Sequence, residues 1–376
     1  MSNDAQPEIR FPGFTEDWEE RKLGTLLKYE QPTKYIVKST DYNEGFEIPV
    51  LTAGKSFILG YTNEVDGIKN ASKDSPIIIF DDFTTSSHYV DFPFKVKSSA
   101  MKLLDLTTDS LDFYFIFNIL KNIKYVPQSH ERHWIAKFSE FKVLVPSYDE
   151  QQKIGTFFQQ LDDTIALHQR KLDLLKETKK GFLQKMFPKN GAKVPEIRFP
   201  GFTEDWEERK LGELTESFDG KRVPIDSDLR ISGKYPYYGA TGIIDYVDDY
   251  IFNGEYVLLA EDGANIIMRN YPVAYLTQGK FWLNNHAHIM RMRNGSNYFL
   301  VQVLEKIDYK KYNTGTAQPK LNSKIVKNIE LKIPHIEEQQ QIGNFFKQLD
   351  DIIALHQRKL DLLKETKKGF LQKMFV

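Results

Sequence analysis

Cysteine is absent from the 376 residues, so the chain can form neither a disulfide nor a zinc site with cysteine ligands. No apolar run approaches the roughly 18 residues that a membrane-spanning helix needs. The first residues, MSNDAQPEIRFPGF, lack the basic head and apolar core of a secretory signal. We therefore expect a cytoplasmic protein that makes no contact with a membrane.

Excess charge and catalytic motifs are missing as well. The formal net charge is −1, so nucleic-acid binding cannot be argued from overall basicity and must depend on local features. The sequence has no P-loop of the type G-x-x-x-x-G-K-[ST]. It also lacks the N/D-P-P-Y/F motif and the glycine-rich cofactor loop of amino-methyltransferases.

Two acidic pairs, Asp81-Asp82 and Glu261-Asp262, follow predicted strands and suggest a metal-dependent nuclease as one alternative. No third ligand or lysine is spaced with either pair to complete such a site, so we interpret them as turn residues. We predict a protein with no catalytic residue, metal or cofactor of its own; an enzyme with an unrecognised site is the remaining alternative.

A long internal repeat is the main feature that the sequence does contain. Residues 7–24, PEIRFPGFTEDWEERKLG, recur unchanged 188 positions later at 195–212, and residues 149–187 recur at the same offset as 337–375 with five substitutions. The intervening segments, 25–148 and 213–336, are both 124 residues long but largely unrelated. Gene duplication followed by drift is an alternative, but drift would scatter changes evenly. The pattern instead predicts two homologous units, each with a constant head, a variable middle and a constant tail.

Both tails predict a long helix with a coiled-coil seam. Apolar residues alternate at spacings of four and three, which is the heptad pattern, and about 39 residues would span roughly 58 Å. We expect the two helices to pack antiparallel about a pseudo-two-fold axis. His168 and His356 lie in the seam, where a polar residue that sets register is a better interpretation than a metal ligand or base. The predicted seam comprises Phe158, Leu161, Ile165, His168, Leu172, Leu175, Phe182, Phe346, Leu349, Ile353, His356, Leu360, Leu363 and Phe370.

The variable middles share an order of elements although their sequences differ. Strands are predicted at 47–51, 76–80 and 141–146 in the first middle and at 255–260, 273–277, 286–292 and 329–334 in the second, with helices at 110–123 and 296–307. We therefore predict an α+β fold with two mixed α/β globular domains and two long antiparallel coiled-coil helices.

The loops of the two middles carry the side chains best suited to DNA. They combine glycine for close backbone approach with Lys, Ser, Thr and Tyr for phosphates and Asn, Gln, Arg and His for base edges. Each loop alone is weak evidence, because surface loops are often polar. The candidates are Lys55, Ser56, Thr84, Thr85, Ser86, His88, Gln128, Ser129, His130, Arg132, Lys221, Arg222, Tyr237, Tyr238, Thr241, Asn265, Arg269, Lys280, Asn284, Asn285, His286, Thr316, Gln318 and Lys320.

These motifs resemble the specificity subunit of type I restriction–modification enzymes. The resemblance lies in the heads Trp18…Leu23-Gly24 and Trp206…Leu211-Gly212, in the entry IPHIE (333–337) to the second long helix, and in the repeated helices. The segments GKFWLNNHAHIMR (279–291) and GTAQPKLN (315–322) look like parts of its target recognition domains. The first middle departs most, because VPQSHERHW stands where the second has TGTAQPKLN.

The resemblance implies a non-catalytic subunit that binds double-stranded DNA. Target recognition domains at 1–146 and 189–334 would each recognise one half of a bipartite, asymmetric site, and the helices at 147–188 and 335–376 would set the spacer and dock two methyltransferase subunits. Restriction subunits with motor and nuclease activity would join the complex, and S-adenosylmethionine, ATP and magnesium would belong to these partners. The main alternative is a coiled-coil adaptor that does not recognise DNA.

Overall fold

The computed structural model describes residues 6–52, 56–126, 133–189 and 191–375. The chain divides into two compact units, one formed by Met1–Gln169 with Lys359–Val376 and the other by Arg170–Arg358. Each unit therefore contains one mixed domain and portions of both long helices.

The first unit begins with the constant head and continues through the first middle into a long helix. Its α-helices and strands are, in chain order, β1 Glu19–Lys22, α1 Leu23–Leu26, β2 Leu27–Glu30, β3 Ile48–Leu51, β4 Ile58–Thr62, β5 Ile77–Asp81, β6 Ser87–Val90, β7 Lys95–Val96, β8 Met101–Leu106, α2 Phe113–Asn122, α3 His133–Ala136, β9 Lys142–Val145 and α4 Tyr148–Lys185, of which α4 extends into the second unit. Short 3-10 helices occupy Pro32–Tyr35 and Phe138–Glu140.

The second unit repeats this order with an enlarged hairpin. Its elements are β10 Glu207–Lys210, α5 Leu211–Leu214, β11 Thr215–Ser217, β12 Ser232–Gly239, β13 Gly242–Val247, β14 Phe252–Asn253, β15 Tyr256–Ala260, α6 Asn265–Met268, β16 Ala274–Thr277, β17 Lys280–Leu283, β18 Ala287–Met292, α7 Asn297–Lys306, α8 Ser323–Lys327, β19 Glu330–Ile333 and α9 Ile336–Lys373, whose C-terminal part belongs to the first unit. Here the 3-10 helices are Asp219–Lys221, Ser227–Leu229 and Tyr309–Tyr312.

The sheets of the two units correspond, except that the smaller sheet of the second unit has one additional strand, β14. A central four-stranded sheet has the order β2-β8-β5-β6 in the first unit and β11-β18-β15-β16 in the second. A smaller sheet has the order β4-β3-β7 in one and β13-β12-β17-β14 in the other, and the pairs β1-β9 and β10-β19 join the head to the strand before the long helix. The predicted α+β fold on a shared frame is confirmed.

Several candidate DNA-binding residues, which we expected to lie in loops, belong to segments that contain regular structure. Residues 235–242 lie mainly in strand β12, 277–286 include strand β17, 83–89 include most of β6, and 262–270 include α6. The strands among these segments lack the alternating pattern of a half-buried strand, and cross-strand pairing in the folded chain overrides that local signal.

The predicted seam residues are all buried or half-buried, including His168 and His356. Within the first unit, α4 and the C-terminal part of α9 run antiparallel: Phe157 packs on Phe370 with ring centroids 5.1 Å apart, and the Lys367 ammonium lies 2.5 Å from an Asp162 carboxylate oxygen. The two segments therefore associate through an ion pair as well as through apolar contact.

The second unit repeats the arrangement with the roles of the helices exchanged. Phe182 of α4 packs on Phe345 of α9 at 5.0 Å, and Lys179 pairs with Asp350 at 2.6 Å. Lys179 and Lys367 are equivalent residues of the two tails, so the same ion pair occurs in both units.

Helix ends complete the core of each unit. In the first unit Phe375 stacks on Phe115 of α2 at 5.4 Å, and the Tyr114 hydroxyl donates to Asp162. In the second unit Phe187 stacks on Phe299 of α7 at 5.7 Å. Because these aromatic side chains bury large apolar areas, neither mixed domain is closed without the end of a repeated helix.

A buried ion pair joins each constant head to the start of a long helix. Arg10 donates to both carboxylate oxygens of Glu150 at 2.7 and 2.8 Å, and Arg198 does the same to Glu338 at 2.6 and 2.7 Å. Both glutamates are fully buried. Two-point arginine–carboxylate bonds fix orientation as well as distance, so the repeated segments form a rigid frame for the variable middles.

Replacing Gly343 by alanine will destabilise the second unit. Gly343 lies where α9 meets the start of α7, and a methyl group there would overlap the Ser296 hydroxyl oxygen and lie 3.2 Å from the Phe299 nitrogen. Overpacking of this kind costs about 1–3 kcal/mol. Urea unfolding, monitored by hydrogen exchange in peptides of the second unit, will give the change in the free energy of unfolding.

Gly181→Ala is the matched control, because Gly181 lies in the α4 portion of the same unit and an added methyl would meet nothing within 4 Å. Alanine is favoured over glycine in a helix by roughly 0.5–1 kcal/mol, so this variant should unfold at a higher urea concentration. Equal unfolding of the two variants would contradict the close approach of α9 to α7.

Candidate nucleic-acid interface

Three loops of the second unit meet at one end of the central sheet. The Glu261 nitrogen donates to the His286 carbonyl at 2.9 Å, and the Leu321 nitrogen donates to the Glu261 carbonyl at 2.7 Å. The Gly263 nitrogen reaches the Pro319 carbonyl at 3.0 Å. The loop after β15, the turn before β18 and the segment after residue 312 are thus joined backbone to backbone.

Charged side chains are buried beneath these loops. Arg222 pairs with Glu261 at 2.6 Å and donates to the Ala287 carbonyl at 2.8 Å. His288 lies 2.8 Å from both the Asp219 carboxylate and the Leu321 carbonyl. Burial raises the pKa of Asp219, but the hydrogen bond and charge of His288 and the Ile289 amide outweigh it and hold the pKa below its ordinary value. The carboxylate is therefore ionised.

The segment from Asn313 to Lys320 is a closed loop. The Asn313 side-chain oxygen accepts from the nitrogens of Gly315 and Lys320, both at 2.9 Å, and the Thr314 nitrogen donates to the Lys320 carbonyl at 2.9 Å. A side chain at Gly315 would overlap the Gln318 carbonyl oxygen. We call residues 313–320 the closing loop; its Thr316, Gln318 and Lys320 are exposed.

The structure brings several predicted DNA-binding residues together around this loop. Glu261 lies 3.7 Å from the Lys320 ammonium and also pairs with Arg222, and His286 pairs with Asp262 at 2.9 Å. Asn285 is exposed in the same turn as His286. The group thus comprises Lys221, Arg222, Asn284, Asn285, His286, Thr316, Gln318 and Lys320; Asn284 is buried and accepts from the His286 nitrogen.

Other candidates of the second unit have partners within their own substructures. Tyr237 is buried, with its hydroxyl accepting from the Ile225 nitrogen at 3.0 Å, and Tyr238 stacks on Tyr275. The Asn265 side-chain amide donates to the Tyr271 carbonyl at 3.0 Å and accepts from the Tyr271 nitrogen at 2.8 Å.

Arg269 pairs with Glu305 at 3.2 Å, and the Lys280 ammonium lies over the Tyr250 ring at 4.4 Å. Thr241 is exposed in the turn between β12 and β13. These contacts give Arg269 a structural role, since its ion pair ties α6 to α7.

The first unit has a related group at the same end of its sheet. The Thr84 hydroxyl donates to Asp81 and lies 2.8 Å from the Ser86 hydroxyl, and Thr85 has a positive φ of 59° in the same tight turn. His88 stacks on Phe57 at 4.0 Å. Burial, assisted by Lys121, lowers the pKa of His88, so its ring is neutral at pH 7.

Ser56, which is exposed, donates to the Ile58 carbonyl and lies beside Phe57. The candidates Lys55, Gln128, Ser129, His130 and Arg132 lie outside the described residues. The part of the group that can be described is therefore the hairpin 84–88 with the loop at Ser56.

Sequence reasoning missed the buried residues that support these loops. Asp82 and Glu261 were interpreted as turn acids, and both are ion-paired, with Lys102 at 3.1 Å and with Arg222. Asp219 and His288 were not singled out. The available signal was a polar residue flanked by apolar ones within a predicted strand, as His288 is flanked by Ala287 and Ile289. Among the residues that the structure describes, no group of three or more His, Asp and Glu could hold a metal ion.

The arrangement defines a protein with two copies of one domain that differ in their loops. The sequence profile described as "Type I restriction modification DNA specificity domain" matches residues 15–177 and, a second time, residues 203–365. The chain belongs to this family, as its motifs predicted, and each repeat is one such domain. Within the described part of the chain, no helix is long and apolar enough to cross a membrane.

Relatives agree with this assignment. The type I restriction enzyme EcoR124I/EcoR124II specificity subunit of Escherichia coli is 46% identical over 157 residues, which cover 41% of this chain and 38% of the relative. The putative specificity subunit S.HindORF215P of Haemophilus influenzae is 35% identical over 168 residues, covering 44% and 42%. This chain thus matches about two fifths of the length of these relatives.

Two further comparisons extend over the whole chain. The MjaVIII specificity subunit of Methanocaldococcus jannaschii is 22% identical over an alignment of 395 positions, which covers 95% of this chain and 91% of the relative. The crystal structure of the type I restriction-modification S subunit from M. genitalium superposes with a TM-score of 0.76 at 14% identity and covers 99% of each chain. At this identity the structural likeness concerns the fold alone.

Proposed function

We propose that this protein is the DNA-recognition subunit of a type I restriction–modification complex and that each mixed domain recognises one half of a bipartite, asymmetric site. The observation that carries the proposal is the pair of specificity domains with a common frame and different loops. A frame repeated almost without change suits one shared set of partners, whereas different loops suit different base sequences.

The closing loop and the turn at Asn285 are the surfaces we assign to base recognition in the second domain. Their exposed amides can form two hydrogen bonds to adenine, and Lys221 and Lys320 supply positive charge for phosphates. A net charge of −1 for the whole chain indicates that much of the phosphate contact comes from partner subunits.

The long helices are proposed to set the spacer between the half-sites and to dock two methyltransferase subunits. Besides the buried seam they carry large apolar side chains in solvent: Leu167 is 58% exposed and Leu174 68%, and their repeats Leu355 and Leu362 are 56% and 67% exposed. Exposed apolar residues that recur along a helix are typical of an interaction surface. Restriction subunits would join the assembly, and S-adenosylmethionine, ATP and magnesium would bind those partners.

In cells that express the chain with its partners, Gln318→Ala and Asn285→Ala will relax the methylated sequence in one half-site only. Loss of a two-bond contact with a base weakens discrimination by about 1–3 kcal/mol, or roughly tenfold to a hundredfold. Sequencing of methylated adenines across the genome measures the effect at every position.

Asn294→Ala is the control, because Asn294 is an exposed amide that follows the opposite end of strand β18. It should leave both half-sequences unchanged. If the two loop variants also leave every methylated site unchanged, the chain is an adaptor that does not recognise DNA through these loops.

A further inference from the structure

The His288 ring is enclosed between two hydrogen-bond acceptors. It is 1% exposed, its Nδ1 lies 2.8 Å from Asp219 Oδ2, and its Nε2 lies 2.8 Å from the Leu321 carbonyl oxygen. The Leu321 carbonyl oxygen can only accept, and Asp219, whose Oδ1 already accepts from the Ile289 amide at 2.9 Å, faces the ring as a carboxylate, so both ring nitrogens donate. These partners assign the imidazolium form to His288.

The surrounding charges support a cation at this position. Glu261 is 3.7 Å from His288 Nδ1, so two carboxylates face the ring. Arg222 lies 2.6 Å from Glu261 and 4.0 Å from Asp219. The group therefore has two largely buried carboxylates, two largely buried cations and the exposed Lys320, which lies 3.7 Å from Glu261. A neutral residue at 288 would remove the cation nearest to Asp219 and leave Arg222, at 4.0 Å, as the nearest remaining one, which is costly.

The first domain has a buried cation at the equivalent position. His288 of β18 faces Leu259 of β15, and Lys102 of β8 faces Phe80 of β5. Leu259 and Phe80 are each the last but one residue of their strand. Lys102 is 2% exposed and pairs with Asp82 at 3.1 Å. The other oxygen of Asp82 accepts from the Trp134 nitrogen at 3.0 Å. In both domains a buried cation thus anchors the backbone of a segment from a distant part of the chain.

The anchored residue in the second domain directly follows the closing loop. The nitrogen of Leu321 donates to the Glu261 carbonyl and its oxygen accepts from His288, so both of its backbone polar groups are bound to the sheet. Lys320, the residue before it, supplies the carbonyl that closes the loop. The position of Thr316 and Gln318 therefore depends on how firmly Leu321 is held.

We propose that His288 is a positioning residue for DNA recognition: as a buried imidazolium it fixes Leu321, and through Leu321 it orients the closing loop toward the bases. This inference rests on the proposed function, because it assigns recognition of the second half-site to that loop. His288 itself does not contact DNA. In the first domain Lys102 holds the backbone of Trp134 in a similar way, through Asp82.

The test compares His288→Gln with His288→Lys. Glutamine is neutral, and its single amide nitrogen cannot replace two donors on opposite sides of a ring, whereas lysine keeps a buried cation of the kind found in the first domain. We expect His288→Gln to accelerate amide exchange in peptides covering 313–322 by about tenfold or more, the effect of losing a charge-assisted hydrogen bond. We also expect it to relax the methylated sequence in the second half-site alone, and His288→Lys to restore both properties.

Asp219→Asn gives an independent measurement, because it removes the negative partner and leaves the ring in place. It should accelerate amide exchange in the same peptides. The double variant Asp219→Asn with His288→Gln should exchange little faster than either single variant, since the two residues act through one contact. His335→Gln, in an exposed histidine of the same unit, is the control and should alter neither readout.

Several outcomes would overturn the inference. The first is unchanged amide exchange at 313–322 in His288→Gln. The second is loss of protection throughout strands β15 and β18, which would mean that His288 supports the fold in general. The third is failure of His288→Lys to restore the exchange rate of the loop. Each is distinguishable from failure of the proposed function, which is measured by Gln318→Ala. If Gln318→Ala relaxes the half-site and His288→Gln leaves the loop unchanged, only the positioning role is wrong.

Discussion

Replacing residues 213–336 with the corresponding segment of another family member will change one half of the methylated sequence and leave the other half as it was. The sharpest form of the experiment inserts the chain's own first middle, residues 25–148, which has the same length of 124 residues. The resulting chain should recognise the first half-sequence twice. Adenine methylome sequencing reports this directly.

The exchange is feasible because the contacts between middle and frame recur in both units. Tyr114 donates to Asp162 and Tyr298 donates to Asp350, and both aspartates belong to the constant tails. Phe115 and Phe299 each pack on the aromatic end of the other tail, at Phe375 and Phe187 respectively. A transplanted middle therefore finds the surface it already uses.

Retention of the original second half-sequence after the exchange would contradict the modular assignment. A variant that gives no methylation must be shown to fold, so hydrogen exchange in its long helices should be measured alongside methylome sequencing. The first half-sequence serves as the internal control, because its domain is unaltered.

Adding four residues after Thr178 in α4 will lengthen the unrecognised spacer and leave both half-sequences unchanged. Four residues add about 6 Å, or roughly one helical turn. Because the seam repeats every three to four residues, Phe182 returns to nearly the same side of the helix and the apolar stripe is preserved. The position of the methylated adenines in the genome measures the spacer.

A two-residue insertion at the same site is the matched control. It turns everything beyond Thr178 by about 200°, which moves Phe182 and Met186 away from the second core. We expect loss of methylation and of stability. An unaltered spacer after the four-residue insertion would refute the helices as the element that sets it.

Local patterns in the sequence predicted most of the regular structure. The heptad alternation placed the first long helix at 149–187, and α4 is Tyr148–Lys185. The apolar runs placed a strand at 255–260 and a helix at 296–307, and these are β15, Tyr256–Ala260, and α7, Asn297–Lys306. Such signals are strong because burial of one face imposes a period on neighbouring residues.

The support beneath the candidate interface could not be predicted in the same way. Asp219, Glu261, His288 and Leu321 come from four separate segments, and no period relates them. Only the folded sheet brings them together. The exposed side chains of the closing loop were recognisable from their types, whereas the residues that hold the loop were not.

The first unit needs residues 359–375 to complete its core, whereas the second is continuous from 170 to 358. During synthesis at about 5–20 residues per second, the earlier-made domain waits on the order of 10–40 s on the ribosome for its last apolar side chains, Met374 and Phe375. The domain translated second is thus the first that can close. A chain that stops before residue 359 therefore lacks side chains that complete the first core.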